Sequence, residues 1–185
     1  NNSLDFGATN GKIKESELAL QISLKLQKQL QGQCEVLMTR KSENDIIDLG
    51  ARAKFANNNK CDLFVSIYIN DAADKSANGI EVWHYKGASN QALAKKVCDS
   101  ICKYTGARNR GAKEGNFQVL RETVMPAILI ECGFINNAEE VKKLQDSKYQ
   151  DLIVRGIVES LGFTYKEEEK KYDVPITGKQ ILYRV

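Results

Sequence analysis

The sequence predicts an α/β fold: a twisted, mostly parallel sheet of about five to six strands with helices on both faces. Three observations predict it. Apolar runs of strand length alternate along the chain with longer segments that keep helical spacing. One run, residues 62–69 (DLFVSIYI), is apolar almost throughout, as a strand buried on both faces of a parallel sheet must be. Alternation of strand and helix implies crossover connections, and crossovers place helices on the two faces of the sheet.

Residues 17–30 alternate apolar positions as a strand would, yet Leu18, Ile22, Leu26 and Leu30 also keep helical spacing. Length decides for a helix, because an unbroken run of about 14 residues rich in good helix formers exceeds the usual strand of about 5–6. Gly32 closes it. Residues 36–39 (VLMT) read as a strand ending at Arg40, residues 42–45 as a turn, and residues 46–57 as a helix ended by Asn57, Asn58 and Asn59. Residues 62–69 and 79–85 (GIEVWHY) read as strands, and Leu93, Val97 and Ile101 put an apolar stripe on a helix over residues 90–104. Strands are expected at residues 117–121 and 127–131. After a loop over residues 132–137, two helical patterns run to Leu161, with Gly162 as the stop.

The chain has 185 residues, which suits one ordinary domain. That domain is expected over residues 1–163. Residues 164–185 read as a charged, Pro- and Gly-containing linker followed by the opening of a strand in a possible further module. The 27 Lys and Arg stand against 24 Asp and Glu, a net charge of +3 with no unbroken basic run, so nucleic acid is not an expected partner. No stretch approaches the roughly 20 apolar residues of a membrane span. The 5 cysteines are odd in number and include no CxxC pair, which indicates neither a full disulfide framework nor a thiolate zinc site.

In open α/β sheets, chemistry gathers beyond the carboxyl ends of the strands, which directs attention to Tyr68, Asn70, Arg121 and Glu131. Glu131 ends the apolar run AILIE, where a carboxylate is costly to bury. It is either tied to a neighbouring loop or a general base whose pKa burial raises. Glu15 opens a helix, where an acid also suits the helix dipole. Asn70 would cap a turn or hold a substrate amide, and Arg40, Arg52 and Arg121 read equally well as surface ion pairs.

The ordered series of segments is more specific than any one residue. LDFGA, KESELALQISLKL, VLMTR, LGARAKFANN, DLFVSIYIN, GIEVW and RNRGAKEGNFQVLRETVMPAILIECGFI together resemble the zinc-dependent N-acetylmuramoyl-L-alanine amidases of bacterial cell walls. The likeness covers residues 1 to about 162, and its strongest pieces are LRETVMPAILIECGFI and DLFVSIYIN. It implies a hydrolase, autolysin or phage endolysin, that cuts the amide between N-acetylmuramic acid and L-alanine in peptidoglycan. It implies an extracellular or cell-wall location, and zinc as cofactor. In that family the metal is held by a His after the first strand, a Glu opening the first helix and a His in the motif S-I-H-x-N, and a Glu in I-E-x-G-F is the base. By motif, Glu15 matches the ligand and Glu131 the base.

The departures carry equal weight. Tyr68 stands at the place of the second His; for the first, either an ungapped reading back from Asp5 puts Asn1 at its place, or that His and the first strand lie upstream of Asn1. A phenol must lose its proton, near pH 10, to bind zinc well, so it is a poorer ligand than imidazole. The single histidine, His84, matches no ligand position. An alternative is therefore a degenerate amidase-like domain that binds peptidoglycan or recruits a partner without cutting. For the substrate that the resemblance implies, Asn70, Arg121, Lys113 and Arg110 are candidates, the last two in the basic, Gly-rich loop RNRGAKEGN, which is expected to meet a stem-peptide carboxylate. The terminal KQILYRV is similar to the start of a wall-binding repeat.

Overall fold

The structure, a computed structural model, describes residues 7–45 and 47–167. A small ribbon, β1 (Thr9–Asn10) paired antiparallel with β2 (Ile13–Lys14), leads into α1 (Glu15–Leu30). There follow α2 (Leu49–Asn58), β3 (Phe64–Asn70), β4 (Ile80–His84), α3 (Ala88–Thr105), β5 (Asn109–Glu114), α4 (Gln118–Arg121), β6 (Ala127–Phe134), α5 (Ala138–Gln145) and α6 (Ser147–Ser160). The main sheet has the order β3-β6-β4-β5. β3 runs parallel to β6 and β4 parallel to β5, while β4 and β6 are antiparallel. The α/β class with a mostly parallel sheet and helices on both faces is thus observed, with four strands in the main sheet among the described residues where about five to six were expected.

The two sheet faces are covered unequally because the strands alternate their side chains. On one face Ile80, Val82, Ile128 and Ile130 pack against Leu18, Ile22 and Leu26 of α1, Val97 and Ile101 of α3, and Ile153 and Ile157 of α6. Each such fully buried aliphatic contributes about 1.5–3 kcal/mol. Gly156 lets α6 lie directly on α3, since a Cβ there would stand 2.5 Å from the Ile101 Cα. The other face carries a smaller cluster, Phe64, Leu129, Ala127, Ala56, Val119 and Leu120, under α2 and α4. Its far end is polar, and the site lies there.

Four expectations are corrected. Residues 36–39 join no ladder among the described residues; Val36 packs on the core but Leu37 is exposed, so the short run serves as a packed connection. Residues 117–121 hold the helical turn α4 and no strand, because consecutive Val119 and Leu120 are both buried, which an alternating strand with one solvated face does not allow. The stretch read as a basic loop contains β5, an edge strand whose charged residues leave it half exposed, a composition that protects an edge and hides the strand signal. The helix expected from residue 46 begins at Leu49, capped by the Asp48 carboxylate, which accepts from Ala51 N. Past α6, Gln33 and Gln29 of α1 and its end hold the backbone of Thr164 and Lys166. The remainder of the expected linker, residues 168–185, and Asn1 lie outside the described residues.

Candidate active site

The register of the sheet builds the site. Tyr68 of β3 is opposite Glu131 of β6, and Glu131 is in turn opposite Glu81 of β4. Directly opposed residues share a face, so a phenol and two carboxyls form a row across three neighbouring strands. Glu15, at the start of α1, meets this row from the side: its Oε1 accepts from Ile69 N at 3.2 Å and its Oε2 from Ala8 N at 2.9 Å. The charge of Glu15 is felt at both Tyr68 and Glu131. The two acids singled out by the sequence therefore converge.

Glu131 is 9% exposed, and its Oε2 is buried with no hydrogen-bond partner among the described residues. Burial, helped by the charges of Glu15 and Glu81, pushes its carboxyl up to about 8. Tyr68 is also raised, chiefly by burial, against the opposing pull of Arg52 and a bond to Ser66. Its phenol thus keeps its proton at neutral pH. Among the described residues no group of three or more His, Cys, Asp or Glu could hold a metal ion. His84 belongs to the opposite face, where it is 3% exposed and its Nδ1 lies 2.9 Å from the Tyr85 carbonyl oxygen.

Glu81, absent from the sequence-derived candidates, accepts from four side chains. Its Oε2 accepts from Arg110 Nε at 2.7 Å and Lys113 Nζ at 2.5 Å. Its Oε1 accepts from Asn70 Nδ2 at 2.9 Å and Trp83 Nε1 at 3.1 Å. Burial alone would raise its pKa, but the two cations more than offset that and hold the carboxyl below its ordinary range. Lys113 lies over the Trp83 ring and Arg110 over the Phe134 ring. The signal that could have found Glu81 is the one that found Glu131, an acid inside an apolar strand.

Asn70, Arg110 and Lys113 are thus brought together at Glu81. Arg121 is not: on α4 its Nη1 donates to Asn116 Oδ1 at 2.9 Å and its Nη2 pairs with Glu122. A cavity of about 590 Å³ runs along the outer edge of β3 between α1, α2 and residues 34–40, and none of the row of acids lines it.

Residues 2–162 match the profile of the family described as N-acetylmuramoyl-L-alanine amidase. The chain is 31% identical over 185 residues to the sporulation-specific N-acetylmuramoyl-L-alanine amidase of Bacillus subtilis, covering 98% of this chain and 69% of that one. To the N-acetylmuramoyl-L-alanine amidase LytC of the same organism it is 30% identical, but it spans only 32% of LytC. The crystal structure of an N-acetylmuramoyl-L-alanine amidase from Clostridium difficile 630 superposes with a TM-score of 0.81 at 38% identity, over 87% of this chain and 89% of that one. With this fold, and with Glu15 and Glu131 converging as the motifs require, the chain belongs to the N-acetylmuramoyl-L-alanine amidase family.

Proposed function

We propose that the chain hydrolyses the amide between N-acetylmuramic acid and the L-alanine of the stem peptide in peptidoglycan, with Glu131 moving the proton. The observation that carries this reading is the buried Glu131 Oε2 that no described residue satisfies, on a carboxyl that burial pushes up to about 8. Such an orphan costs about 1–3 kcal/mol, a cost without structural return unless a ligand supplies the missing partner. A carboxyl titrating near neutrality serves both to take a proton from water and to give one to the departing amine.

A hydrolytic zinc held by three protein donors, with its fourth position for water, supplies an acidic water and a polarised carbonyl. The described residues do not fit that group. They offer the Glu15 carboxylate, already engaged by two backbone N–H groups, and the protonated phenol of Tyr68. The phenol of Tyr68, at the place of a family imidazole, favours a second reading, a domain that grips peptidoglycan without cutting it.

Asn70 and Lys113, together with Arg110, are proposed to face the stem peptide. No helix among the described residues is long and apolar enough to cross a membrane. The proposed site of action is the cell wall, reached by export or by release of a phage endolysin. Residues 1–163 are proposed as the amidase unit, and residues 164–185 as the lead into a wall-binding module. The test is release of stem peptides with free L-alanine amino termini, followed by mass spectrometry, from purified muropeptides. Release by the full chain and none by Glu131→Gln is expected. Binding without release by the full chain would establish the second reading instead.

A further inference from the structure

Beyond the acids, the same sheet face continues onto β5. Lys113 is opposite Trp83, which shares the face of Glu81, so Tyr68, Glu131, Glu81 and Lys113 stand on four adjacent strands. The cationic end of this row is built. Arg110 and Lys113 are half-buried, at 25% and 32% side-chain exposure, and both converge on one Glu81 oxygen while aromatic rings support them from below. Arg110 also faces Glu140, a second buried carboxylate that accepts from Gly79 N and Phe134 N and lies near Lys143. At Glu81 itself one carboxylate thus meets two cations, Arg110 at 2.7 Å and Lys113 at 2.5 Å. Glu81 has each oxygen shared by two donors, whereas an arginine carries five N–H donors and a lysine three, more than Glu81 absorbs.

We infer that Arg110 and Lys113 form a subsite for a carboxylate, the free α-carboxylate of the second residue of the stem peptide, with Glu81 as the counter-ion that holds both cations in place when the subsite is empty. The inference rests on the reading that Glu131 marks the scissile amide. Scale supports it: adjacent strands are about 4.8 Å apart, so the cations bonded to Glu81 lie roughly one strand beyond Glu131. An extended peptide covers about 7 Å in two residues, which carries it from the lactyl carbonyl to the α-carboxyl of the second residue. That residue is a D-glutamate linked onward through its side chain, and its α-carboxyl occurs either free or as the amide, isoglutamine. Only the free acid takes up the spare charge, through charge-assisted bonds roughly twice as strong as neutral ones. The chain is then selective for unamidated stems.

The experiment compares N-acetylmuramyl-L-alanyl-D-glutamate with N-acetylmuramyl-L-alanyl-D-isoglutamine, which differ only at that α-carboxyl. Dissociation constants are measured calorimetrically on the full chain carrying Glu131→Gln, so that binding is read without turnover. At least roughly tenfold tighter binding of the free acid is expected, from about 1.4 kcal/mol of lost pairing. The preference should fall below about threefold in Lys113→Met and return in Lys113→Arg, which keeps the charge. Equal affinity for the two, binding of neither, or a preference untouched by Lys113→Met overturns the subsite. Wild-type cleavage is scored alongside: an intact binding preference with no cleavage supports the subsite and counts against the amidase reading alone.

Discussion

Glu81 and Glu131 stand directly opposite each other in the antiparallel β4–β6 ladder, two acids on one face of a largely apolar sheet. Like charges so placed repel, and the structure resolves the conflict by splitting their proton affinities. Arg110 and Lys113 keep Glu81 ionised, while burial and the neighbouring charges keep Glu131 protonated up to about 8. A pair of titratable groups driven apart by their surroundings is how a fold assigns acid and base roles at neutral pH.

Replacing Glu131 by Gln keeps its shape and removes its proton chemistry. Muropeptide hydrolysis should fall by about 10²–10⁴-fold, the usual share of a general acid–base, with far-UV circular dichroism unchanged. Activity within threefold of wild type would remove Glu131 from the reaction.

The same variant tests the pH dependence of stability. Unfolded, Glu131 ionises near 4.5; folded, it stays protonated to about 8. The folded state binds the extra proton throughout that window, so stability is lost as pH rises through it, by at most about 5 kcal/mol. Glu81 works in the opposite direction and in a different window: its lowered pKa stabilises the fold above its ordinary 4.5, a contribution lost as pH falls through the folded value. Glu131→Gln should therefore raise the melting temperature more at pH 8 than at pH 5. Parallel melting curves for the two proteins across that range would contradict the buried, protonated state.

Gly7 has φ +65°, and a Cβ there would run into the Glu15 carboxylate that accepts from Ala8 N. Gly7→Ala should cost about 1–3 kcal/mol from backbone strain and displaced contact, and lower the melting temperature by several degrees. Calorimetry checks the first effect. Muropeptide assays should show activity falling as well, since the Glu15 side chain is pushed from its seat beside Ile69.

Zinc titration reads the donor set directly. The wild-type chain is expected to retain substoichiometric zinc after dialysis, Glu15→Gln less still, and Tyr68→His to bind at least roughly tenfold more tightly, because neutral imidazole replaces a protonated phenol. Elemental analysis finding one zinc per wild-type chain would overturn the reading of Tyr68.

Sequence alone determined the α/β class, the long helices and the apolar strands, because hydrophobic periodicity is a local property of fifteen residues or so. Leu18, Ile22, Leu26 and Leu30 specify the packed face of α1 whatever lies against it. Motif order likewise singled out Glu15 and Glu131. Tertiary structure decided the rest. β5 was illegible because an edge strand rich in charge has the composition of a loop, and α4 because four residues carry too little periodicity to distinguish a turn of helix from a strand. Only strand register could bring Glu81 opposite Glu131, set Lys113 and Arg110 upon it and leave Arg121 outside, since residues fifty positions apart acquire a mutual electrostatic energy only once a ladder holds them a few ångströms apart.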